Sequence, residues 1–212
     1  MQDGFGHENP GGGQTNDWIT PRWVIDAFNL NYQDEGGFFD LDPCASTAQP
    51  WPIAKKSYTI KDNGLAQDWF GMVYCNPPYG KNVRVWAERM AKHANGIMLI
   101  FARVETSVWQ DVIFPTADGF LFPKRRINFA RPDGTTPKSS AGAPSAFVAW
   151  GGAARRALIS VNTMGLIYGA AFQNACMGGE NAGALHRGDA QNGRGASATT
   201  NCRARSTEEW SK

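Results

Sequence analysis

Apolar and polar positions follow two periods along this chain. From Val83 to Ala94, Val83, Trp86, Ala87, Met90 and Ala91 recur three and four apart, which puts one apolar stripe on a helix. Gly96 follows as its C-cap. Ile97-Met98-Leu99-Ile100-Phe101 is unbroken apolar sequence, the pattern of a strand buried on both faces. Phe38 to Asp42, Lys56 to Ile60 and Met72 to Cys75 read as shorter strands, and Ala146 to Trp150 as a last core strand. Pro43 ends the first, and Asn76-Pro77-Pro78 stops the third. Gly119 to Phe122 and Arg126 to Phe129 read as two further strands around Pro123-Lys124. Near the start, Thr20 as N-cap and Pro21 at the first helical position predict a helix from Arg22 to Leu30 that buries Trp23, Ala27 and Leu30. Thr106 to Val112 starts another helix. Strands alternating with helices, then a strand-rich stretch, predict an α/β fold: a mostly parallel twisted sheet with an antiparallel edge strand.

The ends of the chain lack this patterning. Residues 1–16 are rich in Gly, Asn and Gln and read as a flexible lead-in, and residues 170–212 as a disordered tail. Residues 17–169 are then the folded domain, with 151–169 unassigned. The first residues carry no apolar stretch resembling a signal peptide, and no run of about 18 apolar residues marks a membrane span. A cytoplasmic, reduced protein is the expectation.

Charge is unevenly placed. Residues 1–80 carry four Lys/Arg against ten Asp/Glu, and residues 81–138 carry ten against five. Such asymmetry suits a protein that holds a cation on one side and a polyanion on the other. The four cysteines show no C-x-x-C spacing and the three histidines are scattered, so no metal site is expected.

The strongest chemical signal is Asn76-Pro77-Pro78-Tyr79 at the end of a strand, where open α/β sheets bind ligands. An exocyclic amine on a nucleobase is a poor nucleophile because its lone pair is delocalised into the ring. An Asn side-chain oxygen and the Pro77 carbonyl each accept one amino hydrogen, and together they aim the lone pair. Each bond adds only about 1 kcal/mol to stability. Holding reactants in attack geometry is worth on the order of 7–11 kcal/mol at best. The two prolines stiffen the turn, and Tyr79 offers a flat face on which stacking is worth about 1–3 kcal/mol per base. A base in a duplex reaches such a pocket only when flipped out.

These residues resemble motif IV of the amino-methyltransferases, and the wider chain resembles the phage-type DNA N-6-adenine methyltransferases, the Dam-like enzymes of phages and prophages. The likeness covers roughly residues 17–151, in order: Trp18 to Pro21, Phe39 to Ala45, Asp62 to Leu65 with Asp68-Trp69, Cys75 to Gly80, Phe101 to Trp109, Arg126 to Phe129, and Pro144 to Val148. The resemblance implies a Rossmann-like methyltransferase fold and S-adenosyl-L-methionine as cofactor. It implies transfer of a methyl group to the N-6 amino group of adenine flipped from double-stranded DNA. Asn76, Pro77, Pro78 and Tyr79 are then the catalytic turn. Asp42, Pro43, Cys44 and Ala45 form the cofactor loop, where a carboxylate attracts the cationic methionine end. Thr20 and Pro21 close over that end, and Asp62 to Leu65 border the adenosyl group. By position, Arg103, Glu105 and Thr106 face the same sheet edge as Asn76 and either contact substrate or cap the next helix, while the basic stretch with Lys124, Arg125, Arg126 and Arg131 reads either as DNA phosphate contacts or as a solvated loop. The chain departs from the pattern after the first strand, where Ala45-Ser46 replace the usual methyltransferase glycine pair.

Three other readings compete. Pro43-Cys44 is similar to the nucleophile site of cytosine carbon-5 methyltransferases, although no Glu-Asn-Val partner is present. Asn-Pro-Pro-Tyr also serves enzymes that methylate protein glutamine amides. A DNA-binding protein that has lost catalysis would tolerate the weakened glycine loop. The basic stretch favours DNA over a protein substrate, and the intact Asn76–Tyr79 turn favours an enzyme.

Overall fold

Side chains that alternate along each strand divide this protein into two apolar layers with a sheet between them. A computed structural model describes residues 19–30, 37–80, 82–137 and 143–173. Helix α1 (Arg22–Asn29) precedes β1 (Leu41–Asp42), β2 (Lys56–Ser57) and β3 (Val73–Cys75). Helix α2 (Val83–His93) leads to β4 (Gly96–Phe101), then a π-helical segment (Val108–Ile113) that runs into α3 (Phe114–Thr116). Strands β5 (Gly119–Pro123) and β6 (Ser145–Trp150), helix α4 (Gly152–Thr163) and β7 (Gly169–Gln173) follow.

The seven strands are ordered β2-β1-β3-β4-β6-β5-β7. β2, β1, β3 and β4 pair in parallel, while β6 is antiparallel to both β4 and β5, and β7 is antiparallel to β5. Five strands therefore run one way. The expected antiparallel strand at the edge is in fact two strands, with β7 at the edge and β6 inside the sheet. The mixed α/β arrangement is compatible with a Rossmann-like fold.

One face of the sheet, with Tyr74, Ile97, Leu99, Phe147 and Ala149, packs on Val24, Ile25 and Phe28 of α1 and on Ala154, Leu158 and Val161 of α4. The opposite face, with Val73, Cys75, Met98, Ile100 and Val148, packs on Trp86, Ala87 and Met90 of α2 and on Trp109, Val112 and Ile113 of the π-helical segment. The unbroken run at 97–101 is apolar because both its faces are covered.

Several expectations are corrected. Helix α1 turns Val24, Ile25, Ala27 and Phe28 inward and leaves Trp23 47% and Leu30 65% exposed. Two apolar sets share this short helix, and contact with the sheet selects the second. Thr20 does not cap α1; Pro21 holds the cap position without a side-chain bond. Residues 126–129 form no strand; among the described residues the adjacent Ala130 makes an isolated bridge with Ile19. The helix expected from Thr106 begins at Val108 and is π-helical. Ala94, not Gly96, holds the left-handed cap of α2 at φ 58°. Gly96 starts β4, where a Cβ would lie 2.5 Å from the Val73 carbonyl oxygen. The unassigned stretch supplies α4, and β7 carries the sheet past residue 169 to Gln173. The expected lead-in at 1–16 and the tail from 174 onward lie outside the described residues.

Candidate active site

Parallel strands bring their carboxyl ends to one edge, and the loops that leave β1, β2 and β3 meet there. They enclose a cavity of about 350 Å³. The loop after β1 contributes Asp42, Pro43, Cys44, Ala45 and Ser46, and the turn after β2 contributes Thr59, Ile60, Asn63 and Gly64. Asn76, Pro77 and Pro78 after β3 close a third side, with Thr20 and Trp86 completing the wall.

Asp42 is 2% exposed, and one of its carboxylate oxygens accepts the Cys44 N–H at 3.1 Å. Burial pushes its pKa up to about 7, against the lowering effect of that bond. Ala45 donates its N–H to the Tyr58 carbonyl at 2.8 Å, and Ala48 to the Ser46 hydroxyl at 3.1 Å, so the loop after β1 is held by its own bonds. Among the described residues no left-handed conformation falls within it, so its backbone does not require the glycine pair that the resemblance predicts. The glycine that this site does need is Gly64 in the facing turn, where a Cβ would lie 1.8 Å from the Pro43 carbonyl oxygen.

Asn76 is held at both ends. Its Nδ2 donates to Thr20 Oγ1 at 3.2 Å, and its Oδ1 accepts the Tyr79 hydroxyl at 3.1 Å. Thr20 Oγ1 also bonds the Tyr74 hydroxyl at 3.0 Å, and the Thr20 carbonyl accepts the Trp51 indole N–H at 3.1 Å. The Tyr79 hydroxyl lies 3.4 Å from the Leu99 carbonyl as a second, longer acceptor. Burial raises the pKa of both Tyr74 and Tyr79 well above the usual phenol value, so Tyr79 stays a neutral donor. The carboxamide is therefore fixed in orientation, with its oxygen on the Tyr79 side and its nitrogen on the Thr20 side.

The other expected residues are placed differently. The Tyr79 ring does not line the cavity; it stacks on Phe101 at 4.0 Å and 19°, with Phe129 edge-on at 6.3 Å. Pro21, Asp62 and Leu65 are not in the lining either. Asp62 accepts the Thr59 N–H and hydroxyl at 2.7 and 2.8 Å, and these bonds hold its pKa low and shape the turn that presents Thr59 and Asn63. Thr106 donates to the Arg103 carbonyl at 2.8 Å, closing its own turn, while Arg103 is exposed. Lys124, Arg125 and Arg126 line a separate groove.

Cys44 Sγ lies 3.6 Å from Cys75 Sγ. Burial, with the neighbouring thiol, pushes the Cys44 pKa well up, the opposite of an activated nucleophile. Sequence reading missed Tyr74, Trp51, Trp86, Phe101 and Phe129. Tyr74 carried a signal, since a phenol in a buried strand needs a partner for its hydroxyl.

Among the described residues, no group of three or more His, Cys, Asp or Glu could hold a metal ion, and no helix is long and apolar enough to cross a membrane. A family model described as DNA N-6-adenine-methyltransferase (Dam) matches residues 12–166. No curated protein and no solved structure matches the chain.

Proposed function

The chain belongs to the DNA N-6-adenine-methyltransferase (Dam) family, and from that premise we propose that it methylates the N-6 amino group of adenine in DNA with S-adenosyl-L-methionine as methyl donor. The observation that carries this reading is the Asn76 carboxamide, clamped by Thr20 and Tyr79 on the wall of the cavity that also contains the Asp42 carboxyl.

The cavity residues fit such a cofactor chemically. Asp42 offers a buried carboxyl to a cationic group, and Ser46, Thr47 and Asn63 offer polar side chains. Ile53, Ile60 and Trp86 offer apolar walls for a base. The volume falls at the lower end of the range, about 300–1,000 Å³, of small-molecule sites. When bound, S-adenosyl-L-methionine supplies an electrophilic methyl group on a sulfonium. The protein's part is to hold the acceptor. Asn76 Oδ1 accepts one amino hydrogen of a flipped adenine, and the Pro77 carbonyl accepts the other. Pro77 and Pro78 keep the turn from relaxing away from that geometry. Tyr79 holds Asn76 through its hydroxyl. The methylated nitrogen is cationic and gives its proton to solvent, so no strong general base is needed and no covalent enzyme intermediate forms.

Incubation with methyl-labelled cofactor and unmethylated DNA, followed by nucleoside analysis, tests the proposal. N-6-methyladenine is expected. Label in 5-methylcytosine, label in protein, or no transfer overturns it.

A further inference from the structure

A second groove of about 500 Å³ lies outside the cavity just described, lined by Trp23, Lys124, Arg125, Arg126, Asn128 and Tyr168 among others. All three cations are exposed, Trp23 is 47% exposed and Tyr168 62%. Lys124 Nζ sits 5.7 Å from the centre of the Tyr168 ring, within cation–π range. Asn128 Oδ1 is buried and has no hydrogen-bond partner among the described residues. A buried amide oxygen without a donor is costly, by about 1–3 kcal/mol, unless a ligand supplies one.

The groove and the cavity share no lining residue, but one stretch of chain connects them. Along the extended stretch 126–130, Arg126 and Asn128 line the groove, while Ile127 and Phe129 are buried. Phe129 lies edge-on to the Tyr79 ring that holds Asn76. Ala130 donates to the Ile19 carbonyl at 2.8 Å, which ties this stretch to Thr20, a wall residue of the cavity. Helix α1 starts beside Thr20 and presents Trp23 to the groove. A DNA strand with one base at Asn76 would reach the groove by crossing this stretch.

We infer that the groove binds a nucleotide flanking the target adenine, with its phosphates on Lys124, Arg125 and Arg126, its base against Trp23, and a base or sugar donor to Asn128 Oδ1. Cations with an exposed indole are the combination that recognises an unstacked nucleotide: charge takes the backbone, and the ring takes any base. The inference rests on the DNA reading of the cavity.

Binding of the full chain to an adenine-containing single strand, and to the same sequence as a duplex, at several salt concentrations tests it. Replacing Lys124, Arg125 and Arg126 together by Ala is expected to flatten the slope of log affinity against log salt by roughly 2 to 3, as for three lost phosphate contacts. Trp23→Ala is expected to weaken binding about 5- to 150-fold, the equivalent of about 1–3 kcal/mol per stacked base, and Trp23→Phe to restore most of it. Cofactor affinity and melting temperature should stay at the parent's values, because these residues do not line the cavity. If the triple variant does not fold, the Trp23 pair carries the test. Variants that keep the parent's affinity, slope and DNA KM overturn the groove and leave the methylation reading standing. A parent that binds DNA through the groove yet forms no N-6-methyladenine sinks that reading alone. A parent that binds neither strand nor duplex overturns the groove.

Discussion

On the proposed reading, the cavity and the groove face the same task, holding a charged ligand, with opposite materials. The cavity is made of strand ends and tight turns, and its polar groups are pinned by one another: Asn76 by Thr20 and Tyr79, the β1 loop by Tyr58 and Asp42. The groove is made of long exposed side chains on α1 and on the strand-flanking segments around β5 and β7. Order in the cavity comes from backbone and burial, which favours geometric precision. Order in the groove would come with the ligand, which favours tolerance of sequence and sensitivity to salt. The cavity should therefore respond sharply to single-atom changes and to pH, and the groove to ionic strength.

The sharpest break between the two is expected from Asn76→Ala. It removes the oriented acceptor without touching the Asp42 loop, so turnover should fall by at least about 100-fold while cofactor affinity persists. Single-turnover kinetics beside equilibrium cofactor binding would check this; transfer at the parent rate would show that the carboxamide does not hold the amine. Gly64→Ala comes next. Its Cβ has no room under the Pro43 carbonyl, so a stability loss of about 1–3 kcal/mol is expected, with weakened cofactor binding. Chemical denaturation measures the first and calorimetry the second.

A smaller, graded effect is expected from pH. With its pKa near 7, the Asp42 carboxyl is largely neutral below that pH and charged above it. A cationic ligand prefers the charged form, so affinity for the cofactor should rise with pH, by roughly fivefold from pH 6 to 7, and binding below pH 7 should release a proton. Calorimetry in buffers of different ionisation enthalpy detects that proton, and Asp42→Asn should remove both the release and the pH slope. Tyr79→Phe should have the mildest effect. It keeps the ring on Phe101 but deletes the bond to Asn76, so kcat is expected to fall about 2- to 10-fold. An unchanged kcat would assign Tyr79 to stacking instead.

Much of the fold was legible because it depends on local pattern. The run at 97–101, the stripe from Val83 to Ala91 and the strand that stops at Asn76-Pro77 are visible as local patterns, and Asp42 to Ala45 line the same cavity as Asn76. Helix α4 and β7 were not legible, since their stretch is weakly apolar and is stabilised by neighbours distant in sequence: Ala154, Leu158 and Val161 by the sheet, and β7 by β5. Asp62 and Tyr79 were placed in the right neighbourhood with different tasks. Asp62 shapes a turn, and Tyr79 braces Asn76 from outside the cavity.

By itself, the order of residues settled where strands stop and which acceptor follows the third of them, because backbone preferences of proline and the period of apolar positions act within a few residues. Which partner each of those groups would meet was decided only on folding. Thr20 reaches Tyr74 and Asn76, Gly64 lies under Pro43, and Trp23 turns away from the core toward Tyr168 and the cations. Burial and hydrogen bonding between distant segments depend on how layers close over a sheet, and no short window of sequence contains that information.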